Sequence, residues 1–300
     1  MHRPISRRCD AAGHSAMADR LSRVRSALFT PGTEAARLRK AISTGADVCI
    51  FDLEDSVPPA RSAEARQIVR EALEELAGRA RIWLRVHPAS SQEMAEDLRN
   101  MPLSTLEAVM LPKASDRDAV EACRRAMNQA RVPAELPVVP LIESAAGVLA
   151  CAPIAEVTGV ACLAFGRFDL AAELGIDPDD GSPALAFARA SVVLASTAER
   201  LQLPLDSPWL KVTDLDGLRA AAEQARADGF GGMLVIHPSH VTTVNEVFSP
   251  TADEIAWAQG IVASSADAES GGRGAYTRDG QMVDAAIVKR ARAILREIEP

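Results

Sequence analysis

The strongest constraint on the fold is the regular alternation, along the chain, of short apolar runs and longer helical patterns. Such alternation is typical of parallel strands joined by crossover helices. Eight apolar runs occur within about 215 residues, close to the usual size of a (β/α)8 barrel. A doubly wound open sheet would suit the alternation too, and the count of eight favours the barrel. The predicted strands are Arg25–Phe29, Val48–Leu53, Ile82–Val86, Ala108–Leu111, Val138–Ile142, Ala161–Phe165, Leu205–Trp209 and Met233–Ile236.

Three regions are predicted from this pattern. Residues 1–22 contain Arg7 and Arg8 without the apolar segment of a signal peptide, and we expect a flexible leader there. Residues 23–250 are predicted to form the α/β catalytic domain, a (β/α)8 or TIM barrel. Residues 251–300 are predicted to form a C-terminal helical extension of the kind that serves as a lid. Its expected parts are a helix over Ala252–Ala263, a flexible connector over Ser264–Gly274 and a last helix from Val283 to Ile298. Within the barrel domain the predicted helices are Glu34–Ser43, Ala63–Leu76, Asp116–Ala130, Ala184–Leu201 and Leu215–Ala227.

Charge, hydropathy and cysteine usage exclude several kinds of partner. A net charge of -8 argues against a nucleic-acid surface, because phosphate binding relies on clustered lysine and arginine. It leaves room for one local basic pocket. No apolar run approaches the roughly 18 residues of a membrane span, so no membrane association is expected. The five cysteines show neither Cys-x-x-Cys spacing nor a disulfide framework, which predicts reduced thiols in a cytoplasmic protein.

Charged side chains recur where the predicted strands end. They are the run Asp52-Leu53-Glu54-Asp55 after strand two, Arg85 after strand three, Lys113 after strand four, Glu143 after strand five and Asp169 after strand six. Any one of them could simply mark the end of a strand. Barrel enzymes place catalysis at this end of the strands, so the five together favour an active site. Three acidic ends and two basic ones suit a divalent cation and an anionic substrate.

Glu143 and Asp169 form the strongest pair, since each follows an apolar strand and the two strands are neighbours. Two carboxylates completed by water and substrate oxygens suit Mg²⁺, and the lack of a nearby histidine or cysteine cluster disfavours zinc. Arg85 offers a planar, permanently charged fork for a carboxylate or an enolate. Asp52, Glu54 and Asp55 are expected around it, where they orient water or Arg85, or cap the next helix. His87 is interpreted as structural rather than catalytic.

The charged strand ends described above, together with the segments that flank them, resemble the sequence motifs of the citrate lyase β-subunit-like enzymes in the HpcH/HpaI aldolase/citrate lyase family. The resemblance runs in order from about Arg25 to Arg292, nearly the whole chain. One departure is His87, where the family usually has asparagine. The matching segments are Arg25-Ser26-Ala27-Leu28-Phe29-Thr30-Pro31-Gly32, Gly45-Ala46-Asp47, Asp52-Leu53-Glu54-Asp55-Ser56-Val57, Leu111-Pro112-Lys113, Pro140-Leu141-Ile142-Glu143-Ser144, Phe165-Gly166 with Asp169-Leu170, and Ile236-His237-Pro238.

The resemblance implies a TIM barrel, a Mg²⁺ site (Mn²⁺ as the substitute) and a homo-oligomer, commonly a trimer. It also implies that a C-terminal segment of one subunit closes over the site of its neighbour. Gly280-Gln281-Met282-Val283-Asp284 resembles that segment, although an aspartate is also favoured in the first turn of any helix. The implied roles are metal binding for Glu143 and Asp169, catalysis for Arg85, Glu54 and Asp284, and substrate binding for Arg85, Asp52 and Lys113.

The function implied is a Mg²⁺-dependent carbon–carbon lyase that cleaves a malyl-, citramalyl- or citryl-CoA type thioester into a keto acid and acetyl-CoA. CoA is expected near Arg25, Phe29 and Lys40, where a turn precedes the first helix, although an ordinary capped helix with a solvated basic face suits those residues equally. Three alternatives remain open. They are a class II aldolase on free keto acids, the β subunit of a multi-subunit citrate lyase whose substrate is carried on an acyl carrier protein, and a non-catalytic binding protein.

Overall fold

The computed structural model describes residues 21–99, 101–130, 135–179, 181–270, 275–278 and 280–298. The chain divides into two compact units, with the boundary between Glu246 and Val247. Each unit has its own hydrophobic core. Most of the leader expected over residues 1–22 lies outside the described residues.

The first unit is a closed barrel of eight parallel strands in sequential order, which confirms the predicted fold. Every strand pairs with its neighbour in sequence, and β1 also pairs with β8 to close the barrel. Closure in this order brings the carboxyl ends of all eight strands to one rim. The strands are β1 (Ser26–Pro31), β2 (Val48–Asp52), β3 (Ile82–Arg85), β4 (Ala108–Leu111), β5 (Val138–Ile142), β6 (Ala164–Phe165), β7 (Leu205–Asp206) and β8 (Gly232–Val235).

Two strands are shorter than the apolar runs predicted. The sixth run was expected over Ala161–Phe165 and the seventh over Leu205–Trp209, whereas β6 and β7 contain two residues each. They share a single register pair, Ala164 with Leu205. On the β7 side the ladder cannot continue through Pro208, because proline lacks the N–H that a rung requires.

The barrel interior is filled by alternate residues of each strand, as the two-residue period of a strand requires. Fully buried members of this core include Ile50, Trp83, Met110 and Leu234. Leu21 belongs to the same core and is only 2% exposed. Arg81 donates hydrogen bonds to the carbonyl oxygens of Ser22 (2.7 Å) and Arg23 (2.9 Å). Leu21 and Ser22, the last two residues of the predicted leader, thus contact the barrel.

Helices surround the strands and return the chain from the carboxyl end of one strand to the amino end of the next. Their inward faces are apolar; in Ser62–Leu76, for example, Ala65, Val69 and Leu73 are fully buried. The five helices expected in this unit are confirmed. The bounds are α1 (Ala35–Ala41), α2 (Ser62–Leu76), α3 (Glu93–Leu98), α4 (Arg117–Gln129), α5 (Ala145–Leu149), α6 (Cys151–Ala155), α7 (Arg167–Leu174), α8 (Pro183–Ala198), α9 (Leu215–Asp228) and α10 (Val241–Val247).

The second unit contains α11 (Ala252–Ser270), the strands β9 (Tyr276–Arg278) and β10 (Gln281–Val283), and α12 (Ala285–Arg296). The flexible connector predicted over Ser264–Gly274 is wrong for its first part, because α11 continues to Ser270. Ser265 is buried on this helix, so the small polar residues here still follow a helical pattern. Residues 271–274 lie outside the described residues. The antiparallel pair β9–β10 was not expected. None of the helices described is both long and apolar enough to cross a membrane.

Candidate metal centre and active site

A cavity of about 400 Å³ opens at the carboxyl-end rim of the barrel. Residues from seven of the eight strands or the segments that follow them line it, because the carboxyl ends of parallel strands meet at one rim. Asp52 and Arg85, for instance, are direct partners across β2 and β3. One part of the wall is polar and consists of Asp52, Asp55, Ser56, Arg85, Glu143 and Asp169. The rest is largely apolar and consists of Phe29, Pro31, Leu141, Gly166, Phe168, Pro208, Leu210, Leu234 and Ile236.

Glu143 and Asp169 both line this wall. Gly166 leaves room for Glu143, since a Cβ atom there would lie 2.6 Å from Cβ of Glu143. Asp169 stands in the first turn of α7, which begins directly after Gly166. Burial and the neighbouring charge of Asp169 raise the pKa of Glu143 to about 8. A buried carboxyl group next to a second, exposed carboxylate is an environment that a cation would stabilise.

Lys113 holds Glu143 through its backbone. Its N–H donates a 2.8 Å hydrogen bond to Oε1 of Glu143. The residue adopts a left-handed conformation with φ of 51°, which is uncommon for a side chain other than glycine. Its ammonium group contacts Glu54 and lies 3.3 Å from Asp55. Burial acts to lower the pKa of Lys113, but the hydrogen bond with Glu54 and the nearby charges raise it. Lys113 thus contacts three of the carboxylates of the site, and its direct contact with substrate stays a prediction.

Asp52 fixes the orientation of Arg85. Its two oxygens accept hydrogen bonds of 2.6 Å from Nε and Nη2 of Arg85, a bidentate fork. The same oxygens also accept from the backbone N–H groups of Glu54 (2.9 Å) and Ser56 (3.2 Å). Asp52 therefore positions Arg85, and its contact with substrate stays a prediction. The guanidinium carbon of Arg85 lies 4.5 Å from the centre of the Phe29 ring, so the ring packs against the guanidinium group while Asp52 binds its edge.

Glu54 stands between the two cationic side chains. It is 6% exposed, and burial raises its pKa although Arg85 and Lys113 act in the opposite direction. Oε1 accepts from the Lys113 ammonium group. Oε2 is 3.2 Å from Nη1 of Arg85 but has no partner in hydrogen-bond geometry among the described residues. An orphaned buried carboxylate oxygen next to a substrate cavity is available to accept a proton or a hydrogen bond.

The donor set fits Mg²⁺. Among the described residues no group of three or more histidine, cysteine, aspartate or glutamate side chains is arranged as a metal site, which excludes a closed, all-protein cage there. Mg²⁺ commonly binds through one or two carboxylates and keeps water or substrate oxygens in its other positions. Glu143 and Asp169 would supply two such oxygen ligands. Glu143 has one oxygen held by Lys113, so its orientation is set before a metal arrives.

Two residues that the sequence predicted near this site, Arg25 and Lys40, do not line the cavity. Arg25 precedes β1 and therefore lies at the opposite end of the barrel, where it pairs with Asp47 at 2.7 Å. Lys40 is exposed in the last turn of α1, after that helix has run back from the rim. Phe29, the third residue expected near CoA, lines the cavity. Asp284 belongs to the second unit, where its carboxylate caps α12 by accepting from the N–H groups of Ala286 (2.9 Å) and Ile287 (3.0 Å).

Several residues that shape the cavity were not predicted from the sequence. Gly166 was quoted only as part of a motif, although its lack of a side chain admits Glu143. Phe168, Leu210 and Ile236 form much of the apolar wall. Ile236 directly follows β8, and the alternation along that strand, in which Leu234 points inward, predicts an inward position for it. No comparable signal marks Leu210, which lies beyond β7 in an irregular segment.

A parallel barrel whose rim carries two close carboxylates, an oriented arginine and an apolar wall has the construction of a metal-assisted barrel enzyme. The family comparison gives a more specific assignment. The model of the HpcH/HpaI aldolase/citrate lyase family matches residues 25–238, and the chain belongs to this family, as predicted.

Relatives with different names resemble the chain over nearly its full length. The citrate lyase subunit beta-like protein of Deinococcus radiodurans is 32% identical over 277 residues, which is 91% of this chain and 96% of the relative. The (3S)-malyl-CoA thioesterase of Cereibacter sphaeroides is 33% identical over 285 residues, 94% of this chain and 97% of the relative. Among solved structures, the CitE protein of Mycobacterium tuberculosis in complex with magnesium, acetoacetate and coenzyme A superposes with a TM-score of 0.75. It is 30% identical, and the match covers 92% of this chain and 98% of that one.

Proposed function

We propose that this protein is a Mg²⁺-dependent carbon–carbon lyase that cleaves a short β-hydroxyacyl-CoA thioester, of the malyl-, citramalyl- or citryl-CoA type, into a keto acid and acetyl-CoA. The observation that carries the proposal is the pair of Glu143 and Asp169 beside Arg85 in one cavity. Relatives named for malyl-CoA and citramalyl-CoA, and a similar structure that contains magnesium and coenzyme A, support the class of substrate.

The residues divide the chemistry between them. Bound Mg²⁺ would supply Lewis-acid stabilisation of the substrate oxygens and lower the pKa of the hydroxyl group. Arg85 keeps its charge at every physiological pH, and the pair with Asp52 and the Phe29 ring holds its plane still. Its Nη1 group is not bound by Asp52 and makes longer contacts with Glu54 (3.2 Å) and Asp55 (3.4 Å), which the thioester enolate would compete with as negative charge develops. The apolar wall excludes water from the carbanion.

The base that removes the hydroxyl proton is proposed to be Asp284 of a neighbouring subunit in a homo-oligomer. The family resemblance favours a trimer. The proposal rests on the family resemblance of the Gly280–Asp284 segment. Glu54, with its orphaned oxygen, is proposed as the second acid–base group within the barrel. We also propose a cytoplasmic location, which suits the four buried, unpaired cysteines Cys49, Cys123, Cys151 and Cys162.

Hydrolysis of the thioester is the second candidate, because the relative from Cereibacter sphaeroides is named a malyl-CoA thioesterase. The two reactions share a substrate and differ in the bond that breaks. Carbon–carbon cleavage of malyl-CoA releases glyoxylate and acetyl-CoA, whereas hydrolysis releases malate and free CoA. A class II aldolase would turn over free hydroxy-keto acids, and a citrate lyase β subunit would require an acyl carrier protein thioester.

Product analysis with malyl-CoA and citramalyl-CoA in the presence of Mg²⁺ separates these functions. We expect a keto acid and a CoA thioester, and no release of free thiol. Glu143→Gln should reduce turnover by more than about 100-fold, because even changes around a metal ligand commonly cost 10–100-fold. Glu121→Gln on the exposed face of α4 is the matched control and should leave turnover unchanged. Free thiol as the main product, or full turnover by Glu143→Gln, would contradict the lyase proposal.

A further inference from the structure

The seam between β6 and β7 has fewer register pairs than any other pair of neighbouring strands in the barrel. Its backbone pairing consists of the Ala164–Leu205 register pair, with the N–H of Leu205 donating to the carbonyl of Leu163 at 3.0 Å. Beyond this pair β6 turns outward into α7, which carries Asp169. Because the backbone pairing is so short, another contact is needed to fix the position at which α7 begins.

Ser207 supplies that contact with its side chain. Its hydroxyl accepts a 2.8 Å hydrogen bond from the N–H of Arg167 and donates a 2.9 Å hydrogen bond to the carbonyl of Phe165. The register of the seam, extended by two residues, places Ser207 opposite Gly166. In a parallel ladder a residue bonds the two peptide groups that flank its partner. The Ser207 hydroxyl therefore replaces both backbone hydrogen bonds of one missing rung.

This replacement also acts as the cap of α7. The residue before the helix is Gly166, which has no side chain to satisfy the first N–H groups. The Arg167 N–H is satisfied from the neighbouring strand by Ser207, which is 3% exposed. On the other side the N–H of Gly166 donates to the carbonyl of Ile142 at 2.9 Å, one residue before Glu143. The turn between the two metal-site carboxylates is thereby fixed from both sides.

We propose that Ser207 is a positioning residue that determines the affinity for Mg²⁺ by holding the first turn of α7, and with it Asp169, against Glu143. The inference rests on the metal site of the proposed function. Ser207 acts at a distance from the substrate and through two peptide groups. Outer contacts of this kind fix the direction of a ligand that would otherwise sample several orientations.

The test is Mg²⁺ titration of the full chain by calorimetry, without any substrate. Ser207→Ala should weaken Mg²⁺ binding by about 10–100-fold, the usual effect of losing an outer contact to a ligand. Ser207→Thr keeps the hydroxyl and should bind Mg²⁺ like the unchanged chain; its extra methyl has room in a cavity of about 500 Å³ that Ser207 also lines. Should Ser207→Ala fail to fold, Ser207→Cys has nearly the same shape and only weak hydrogen-bonding capacity, so it should show the same loss.

The control is Ser196→Ala on α8. Ser196 is also buried, at 1% exposed, and its hydroxyl has no partner among the described residues. It should bind Mg²⁺ normally. If Ser207→Ala or Ser207→Cys melts at a lower temperature but binds Mg²⁺ as tightly as the unchanged chain, Ser207 is merely structural and the inference is overturned. If the unchanged chain itself binds no Mg²⁺, the proposed function fails first, so the two failures are distinguishable.

Discussion

Lys113 shows how one residue can serve a site through its backbone and its side chain separately. Its N–H orients Glu143, and its ammonium group neutralises part of the charge of Glu54 and Asp55. The first function requires the left-handed conformation, with φ of 51°. For an L-residue that conformation costs roughly 1–2 kcal/mol, which the surrounding contacts must offset.

Substituting Lys113 by glycine and by alanine separates the two functions. Both variants lose the ammonium group and keep the N–H that binds Glu143. Since glycine adopts positive φ freely, we expect Lys113→Gly to be more stable than Lys113→Ala by about 1 kcal/mol. Urea denaturation measures this difference in the free energy of unfolding. Equal stability, or a more stable alanine variant, would show that the strained conformation is not maintained in solution.

His87 belongs to a neighbouring but different network. Its Nδ1 lies 2.7 Å from Oδ2 of Asp97, which is fully buried and also accepts a 2.9 Å hydrogen bond from Nε of Arg66. The hydrogen bond with Asp97 raises the pKa of His87, although burial acts to lower it. The residue that replaces the usual asparagine of the family is therefore engaged in packing α2 and α3 against β3.

The raised pKa makes this contribution to stability dependent on pH. A folded pKa above the unfolded value means that the protonated form stabilises the fold. The contribution is complete below pH about 6.5 and is lost as the pH rises through the folded pKa. The melting temperatures of the unchanged chain and of His87→Gln should accordingly differ most in acid and converge in alkali. A gap that widens as the pH rises would contradict the assignment.

At the scale of elements, the turn from β6 into α7 decides whether the metal site exists. Gly166→Ala should weaken Mg²⁺ binding strongly, since the new Cβ would lie 2.6 Å from Cβ and 2.8 Å from Oε2 of Glu143. Gly175 at the other end of α7 provides the control. It has open space but φ of 66°, so Gly175→Ala should cost about 1 kcal/mol of stability and leave Mg²⁺ binding intact. Calorimetry and urea denaturation test both; equal Mg²⁺ affinity in the two variants would be the contrary result.

The elements also show what the sequence can and cannot predict. The eight strands were predictable because apolar, β-branched runs recur between helical patterns, and the charges at their ends identified Arg85, Glu143 and Asp169. The hairpin of β9 and β10 was missed, although Asp279-Gly280 between the two strands is a typical hairpin signal. No sequence signal indicates the backbone role of Lys113 or the role of Ser207. Their roles depend on a backbone angle and on a hydroxyl orientation that are fixed only by tertiary contacts.

At the scale of the whole molecule, the second unit carries Asp284, the proposed base. Its core is formed by α11 and α12 together with Val283, and Asp284 caps α12 from within that unit. Asparagine can cap a helix as well as aspartate. Asp284→Asn should therefore preserve stability and lose most of the turnover, because the amide cannot accept the proton of the substrate hydroxyl.

Mixing two inactive variants tests whether Asp284 acts in a neighbouring subunit. Glu143→Gln lacks the metal ligand, and Asp284→Asn lacks the proposed base. After denaturation and joint refolding, mixed oligomers should contain sites that combine the intact barrel of one subunit with the intact Asp284 of another, and turnover should return in part. A mixture as inactive as its components would place Asp284 in its own subunit or outside the reaction.

The charge balance at the rim has a kinetic consequence. The carboxyl groups of Asp52, Glu54, Asp55, Glu143 and Asp169 outnumber the two cationic side chains around them that the structure describes, Arg85 and Lys113, and both cations are already engaged by those acids. An anionic thioester approaching the rim without metal therefore meets a repulsive field. Prior binding of the divalent cation should therefore favour entry of the thioester, so that turnover depends on the supply of magnesium as well as on that of the thioester.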